Sequence, residues 1–224
     1  MGNYYSEKLS ADRLRRCYEI ASPRIQQYLR AEVDFVLERI KPDAIVLELG
    51  CGYGRVMAAL ARKARWVVGV DTSVASLMCG LSHLHGVNNC SLFAMNAIDL
   101  AFRDRTFDVV VCIQNGISAF HVDQQRLISE SIRAAKQGAR ILFSSYSKNF
   151  WEERLEWFRR QAEAGLVGEI DFARTRAGVI VCKDGFTATT VNKERFHALT
   201  SKLDVETTVT EVDESSLFCE ITRV

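Results

Sequence analysis

The segment Glu48-Leu49-Gly50-Cys51-Gly52-Tyr53-Gly54-Arg55 has the residue types of a ligand-binding turn. Alternating glycines let a chain turn sharply and let its backbone come close to a ligand. A pyrophosphate seated on a helix N-terminus uses a GxGxxG spacing, and that spacing would need glycine where Arg55 stands. A carboxylate, Glu48, lies two residues ahead of Gly50 instead. An acid there suits a cationic ligand end better than a pyrophosphate. A second acid, Asp71, ends the next apolar run. A carboxylate at that place can accept both hydroxyls of a ribose, in nicotinamide enzymes and elsewhere, so alone it does not discriminate.

Alternating strands and helices must position these groups. Residues 6–41 read as helical in two pieces, broken at Ser22-Pro23, where Ser caps and Pro opens the second piece. Short apolar runs at 45–49, 66–70, 90–95, 107–113 and 140–145 read as buried strands. Helical patterns at 57–64, 74–84 and 124–136 separate them, the last closed by Gly138, and His121 is read as opening a helix after the fourth strand. Strands parted by helices imply a parallel sheet covered on both faces. The pattern then changes to an aromatic-rich helix at 149–164 and three strand-like runs at 169–174, 179–183 and 186–191. Asp184-Gly185 between the last two is a hairpin signal. Asn192 caps a helix through 202, and runs at 205–212 and 217–222 are close enough to pair antiparallel.

The expected fold is α/β, a Rossmann-like seven-stranded, mostly parallel sheet with an antiparallel terminal hairpin. It carries an N-terminal helical lid and a small antiparallel β insertion. The chain reads as one domain: a lid at 1–41, a ligand-binding core at 42–147, a helix plus insertion capping a substrate pocket at 148–191, and a final helix and strand pair at 192–224. Charged residues make up 25% and the formal net charge is +1, with Lys and Arg dispersed, which argues against a nucleic-acid binder. The seven cysteines form no CxxC pair, and no His lies at ligand spacing from them, so neither a disulfide framework nor a metal site is expected. No stretch approaches the roughly 20 apolar residues of a membrane span. A cytoplasmic protein, monomer or homodimer, is the expectation.

The run Glu48-x-Gly50-x-Gly52-x-Gly54, followed by Val70-Asp71, resembles the first two motifs of the class I S-adenosylmethionine-dependent methyltransferases of small-molecule type. The resemblance covers about residues 40–145 and the terminal strand pair. It implies S-adenosylmethionine as cofactor, S-adenosylhomocysteine as product, and a last strand inserted antiparallel between the fifth and sixth. The cationic end expected at Glu48 would then be the ammonium of the methionine portion. Asn96 stands where the family usually places an acid against the adenine amino group. Its oxygen can accept that bond without charge. The expected cofactor-binding residues are Glu48, Gly50, Cys51, Gly52, Asp71, Thr72, Asn96, Ala97, Gln114 and Asn115.

Gln114-Asn115-Gly116 is similar to the Asn-containing segment of glycine N-methyltransferase-like enzymes, a slight lean toward a nitrogen acceptor over oxygen or sulfur. No residue declares itself a general base. Tyr5, His121 and Tyr146 are candidates by type, as is His197. Tyr4, Tyr5 and Tyr18 are expected in the lid, with Arg24 near it. Arg174, Arg176, Lys183 and Phe186 are expected selectors of the acceptor. A non-catalytic S-adenosylmethionine-binding sensor or partner subunit is the alternative. A nicotinamide-dependent oxidoreductase is disfavoured by Glu48 and Arg55.

Overall fold

The computed structural model describes Tyr4 and residues 8–223. Among the described residues, helices α1 (Ala11–Glu19) and α2 (Pro23–Arg39) precede the sheet. Then follow β1 (Ile45–Leu49), α3 (Arg55–Leu60), β2 (Trp66–Asp71), α4 (Val74–His83), β3 (Cys90–Ala94), β4 (Phe107–Cys112), α5 (Gly116–Ala119), α6 (Gln124–Ala134) and β5 (Ala135–Tyr146). A 3-10 turn leads into α7 (Trp151–Glu163), then β6 (Ile180–Val181), β7 (Thr187–Ala188), α8 (Lys193–Thr200), β8 (Val205–Val212) and β9 (Ser216–Arg223).

The large sheet has seven strands in the order β3-β2-β1-β4-β5-β9-β8. The pairs from β3 to β5 are parallel, while β9 runs antiparallel to both β5 and β8. The strand order reverses between β1 and β4, and ligands in open α/β sheets bind outside the strand ends at such a point. The central strands are apolar runs buried on both faces. Val46 and Leu47 on β1, and Val110, Val111 and Cys112 on β4, are all inaccessible to solvent. α2 starts as its residues dictate, with Ser22 Oγ accepting from Ile25 N and Pro23 at the first helical position. Its buried face is Ile25, Tyr28, Leu29, Glu32 and Val36, an acid among apolar residues. The terminal hairpin turns through Asp213 and Glu214, both left-handed, with Ser215 N donating to Val212 O at 3.0 Å.

Three expectations from sequence give way. Gly138 does not close a helix. α6 ends at Ala134, and β5 begins at once, carrying Gly138 at φ +69° inside the strand where its register against β4 shifts. Pairing with β4 overrides the helical pattern. His121 does not open a helix either. It sits at φ +52° between α5 and α6, and Asp123 caps α6 by accepting from Arg126 N. The run at 169–174 is no strand. Ile170 makes one bridge to Cys182, and Asp171 then closes a turn by accepting from Arg174 N and Thr175 N. Among the described residues, no helix is long and apolar enough to cross a membrane.

β9 locks the sheet. Phe218 is fully buried, its ring centroid 4.1 Å from that of Phe35 on α2. Phe218→Ala is expected to cost about 3–5 kcal/mol of unfolding free energy, read as a lower urea midpoint with an unchanged slope.

Candidate functional site

A cavity of about 810 Å³ opens at the carboxyl ends of β1, β2 and β4. Its floor is the turn between β1 and α3. Gly50 N and Cys51 N both donate to Val70 O, which folds this turn back over β2. Gly50 has φ +71°, and a Cβ there would lie 2.4 Å from the Phe120 ring, so only glycine fits. Gly54 is the left-handed N-cap of α3. Cys51 contributes backbone to the turn. Its thiol is buried and points toward Gly69 in the sheet, with burial raising its pKa, so it packs rather than reacts.

Asp71 ties the site together. Its Oδ2 accepts from Gly52 N at 2.9 Å and its Oδ1 from Ser73 N at 2.7 Å. Each carboxylate oxygen keeps a lone pair, so a ribose diol facing the cavity still finds two acceptors. Ser73 caps α4 by accepting from Ser76 N, which frees Asp71 from that duty. Thr72, Asn96 and Ala97 line the same wall with Met95. Asn96 is exposed, and its side-chain oxygen accepts from Ile98 N at 3.2 Å. It stabilises its own turn and has one lone pair and its amide hydrogens to offer a ligand.

The end of β1 is the unusual part. Glu48 is buried, and its Oε2 has no hydrogen-bond partner among the described residues. Burial pushes its carboxyl up to about 8, against the pull of Arg55 and with a push from Asp71. Arg55 lies over the Tyr18 ring, 4.4 Å from its centroid, with one guanidinium nitrogen, Nη2, buried and unpartnered. Gln114 Oε1 accepts from Tyr18 OH at 3.3 Å, while its Nε2 is buried and unpartnered. Glu48, Arg55, Tyr18 and Gln114 enclose a chamber of about 40 Å³, and Leu14, Tyr18, Gly50, Gly52 and Gln114 line both this chamber and the cavity. One unpaired acceptor and two unpaired donors thus face one small space, where each costs free energy until a ligand meets it.

The N-terminal segment roofs the cavity. Ala11 N donates to Ser76 Oγ at 3.0 Å, Trp157 Nε1 donates to Cys17 O at 3.0 Å, and Arg13 Nη2 donates to Gly165 O at 2.7 Å. Tyr4 OH donates to Asp184 Oδ2 at 2.5 Å, closing the roof onto the insertion. Tyr5 lies outside the described residues. The wall opposite the glycine turn is Tyr146, Trp157, Phe158, Gln161 and Thr187. Burial raises the Tyr146 hydroxyl pKa well above its ordinary value, which makes it a poor base at neutral pH. His121 is exposed and on the cavity rim, and it brings the one imidazole among the described lining residues.

Several expected residues face elsewhere. Asn115 is buried with its amide turned away, donating to Thr189 O at 2.9 Å and accepting from Ser145 Oγ at 2.7 Å. Its role is to hold the strand end to the insertion. Arg174, Arg176 and Lys183 are on the outer surface, Lys183 paired with Glu169 at 2.6 Å, and Phe186 is core beneath Phe158 and Tyr4. Arg24 holds Asp213 in the terminal hairpin at 2.6 Å. His197 is exposed on α8, off the cavity. Sequence reasoning missed Phe120, Gln161 and Glu32. The positional signal for Gln161 was its place on the aromatic-rich helix, four residues after Trp157.

Residues 46–138 match the family model described as a methyltransferase domain. The sheet order, with its antiparallel β9, is the topology of that family's class I fold. Over residues 46–138 the chain thus carries a methyltransferase domain. It is 32% identical over 130 residues to a ubiquinone biosynthesis O-methyltransferase of Hahella chejuensis, covering 52% of this chain and 50% of that protein. It is 33% identical over 102 residues to a demethylmenaquinone methyltransferase of Clavibacter sepedonicus, covering 46% and 41%. The chain thus spans about half the length of the curated relatives it matches. In fold it is similar to the PH0226 protein of Pyrococcus horikoshii, with a TM-score of 0.69 at 19% identity over 100% of both chains. It is likewise similar to a methyltransferase of Methanosarcina mazei, with a TM-score of 0.63 at 20% identity over 85% of this chain and 97% of that one.

For this methyltransferase fold, the buried acids set a pH signature. Burial raises Glu48 to about 8 and Glu32 to about 7, above the ordinary 4.5. The folded chain therefore holds more protons than the unfolded chain between those values, and stability falls as pH rises through that window. The thermal midpoint of the free protein is expected to be lower at pH 8 than at pH 6, with Glu48→Gln shrinking the difference. A midpoint that rises over this interval contradicts the assignment.

Proposed function

We propose that the cavity binds S-adenosylmethionine and that the chain moves its methyl group to a small-molecule acceptor by in-line displacement. The observation that carries this reading is the chamber at the end of β1. An α-amino acid end offers an ammonium and a carboxylate, and the chamber offers Glu48 Oε2 for the first and Arg55 Nη2 and Gln114 Nε2 for the second. Asp71 stands where the ribose diol would reach it, and Met95, Asn96 and Ala97 where adenine would lie. A pyrophosphate in the same chamber would gain nothing from an ionisable acid such as Glu48 and would oppose its ionisation. Bound there, the cofactor supplies a methyl group on a sulfonium, already a good leaving group.

The chain's own tasks are then alignment and exclusion of water. The roof of α1 and Tyr18 shuts off the chamber, and the aromatic wall of Tyr146, Trp157 and Phe158 offers a flat apolar face to an acceptor. That wall, together with relatives named for ubiquinone biosynthesis and demethylmenaquinone, supports a small organic acceptor. The lean toward nitrogen rested on Asn115, whose amide is spent on Thr189 and Ser145. The relative named for O-methyl transfer makes oxygen the acceptor we propose. A hydroxyl needs a positioned base, and His121 on the rim is the imidazole that lines the cavity. The unpaired thiols of the described cysteines fit a reducing compartment such as the cytoplasm. The sensor alternative keeps the chamber and predicts no turnover.

S-adenosylhomocysteine is expected to raise the thermal midpoint and NAD to leave it unchanged. Stabilisation by NAD alone would sink the reading. Glu48 must be ionised to receive an ammonium, so affinity for S-adenosylhomocysteine should fall by up to about tenfold per pH unit below 8. Glu48→Gln should weaken binding and flatten that slope in calorimetric titrations. With methyl-labelled cofactor and a panel of phenols and amines, label is expected in phenols. His121→Ala should slow that transfer by about a hundredfold or more with little change in cofactor affinity. Label entering amines only, at a rate indifferent to His121, would refute the oxygen acceptor.

A further inference from the structure

Gln114 and Asn115, just beyond β4, are consecutive left-handed residues, φ +56° and +63°. Neither is glycine, and such residues cost free energy that persists only where the surroundings over-determine them. Asn115 is held by Ser145 and Thr189. What holds Gln114 comes from a distant element. Glu32, on α2, is 0% exposed, and its Oε2 accepts from Gln114 N at 2.7 Å. Its Oε1 accepts from Ser216 Oγ at 2.6 Å, at the start of β9.

A fully buried carboxylate is costly in a helix stripe otherwise filled by Ile25, Tyr28, Leu29 and Val36. A purely structural tie between α2 and the sheet could be made by an apolar residue. Glu32 instead spends one oxygen on the backbone of the residue whose unpartnered Nε2 faces the chamber. Backbone amide and side-chain amide of one residue are thus set by two contacts, Glu32 on the first and Tyr18 OH on the second. Both contacts come from the helices ahead of the sheet.

We propose that Glu32 is a positioning residue for the ligand chamber: its carboxylate fixes the left-handed turn at Gln114, so that Gln114 Nε2 is presented to the carboxylate end of an α-amino-acid ligand. The proposal rests on the cofactor reading above and adds to it a residue that touches no ligand. Glu32 acts through Gln114 alone; its bond to Ser216 serves stability.

A double-mutant cycle read by calorimetric affinity for S-adenosylhomocysteine tests this. Glu32→Ala and Gln114→Ala are each expected to weaken binding by about tenfold. Glu32→Ala added to Gln114→Ala should weaken it no further. Glu32→Gln keeps an acceptor for Gln114 N and is expected within about threefold of wild type, since one neutral hydrogen bond replaces a charged one. Ser216→Ala should lower the thermal midpoint without changing affinity. Should Ala at position 32 fail to fold, Glu32→Asp, one methylene too short to reach Gln114, takes its place in the cycle with the same non-additivity expected. An effect of Glu32 that is undiminished in the Gln114→Ala background, or no effect on affinity at all, overturns the proposal while leaving the cofactor reading intact. Wild-type protein that does not bind S-adenosylhomocysteine overturns both.

Discussion

Removing a carboxylate from water without giving it a partner costs several kcal/mol, and at the centre of the sheet that cost shows as the raised pKa of Glu48. This acid sits on β1, between β2 and β4, at the reversal of strand order. Arg55 is near enough to pull its pKa down yet makes no ion pair with it among the described contacts, because the guanidinium lies against Tyr18. Acid and base therefore face one small space without neutralising each other. That arrangement makes sense if a ligand completes it. The glycine turn, the Asp71 bridge and the roof of α1 all enclose this space or the cavity it opens into.

The roof is coupled to the floor through polar contacts. Tyr18 on α1 touches both Arg55 and Gln114, and Glu32 on α2 holds the backbone of Gln114. Trp157 on α7 anchors the roof at Cys17 O and also forms part of the aromatic wall of the cavity. The chamber and the aromatic wall thus share the helices that cover them. Ordering the roof over one ligand also shapes the space for the other, the kind of closure that keeps water from a reacting centre.

Much of this was legible in the sequence, for particular reasons. β1, β2 and β8 are runs whose hydrophobic pattern and flanking turn residues leave little choice, and Ser22-Pro23 and Asn192 cap helices as their chemistry dictates. The glycine turn and Asp71 were legible because their spacing is local. Gly138 was misread because a helix stop and a kink inside a strand ask for the same left-handed backbone. The role of Asn115 was misread because its partners, Ser145 and Thr189, are far along the chain. Glu32 was invisible for the same reason: it looks like one more polar residue on a helix until Ser216 and Gln114 are brought to it. Spacing finds groups that one turn brings together, while contacts assembled across the fold need the fold.

The account stands or falls on what meets Glu48. A crystal structure with S-adenosylhomocysteine bound is the direct measurement. The ligand's ammonium should lie within hydrogen-bonding distance of Glu48, its carboxylate beside Arg55 and Gln114, and its ribose hydroxyls on Asp71. A ligand bound elsewhere in the cavity, with Glu48 still facing an empty or water-filled chamber, would contradict it.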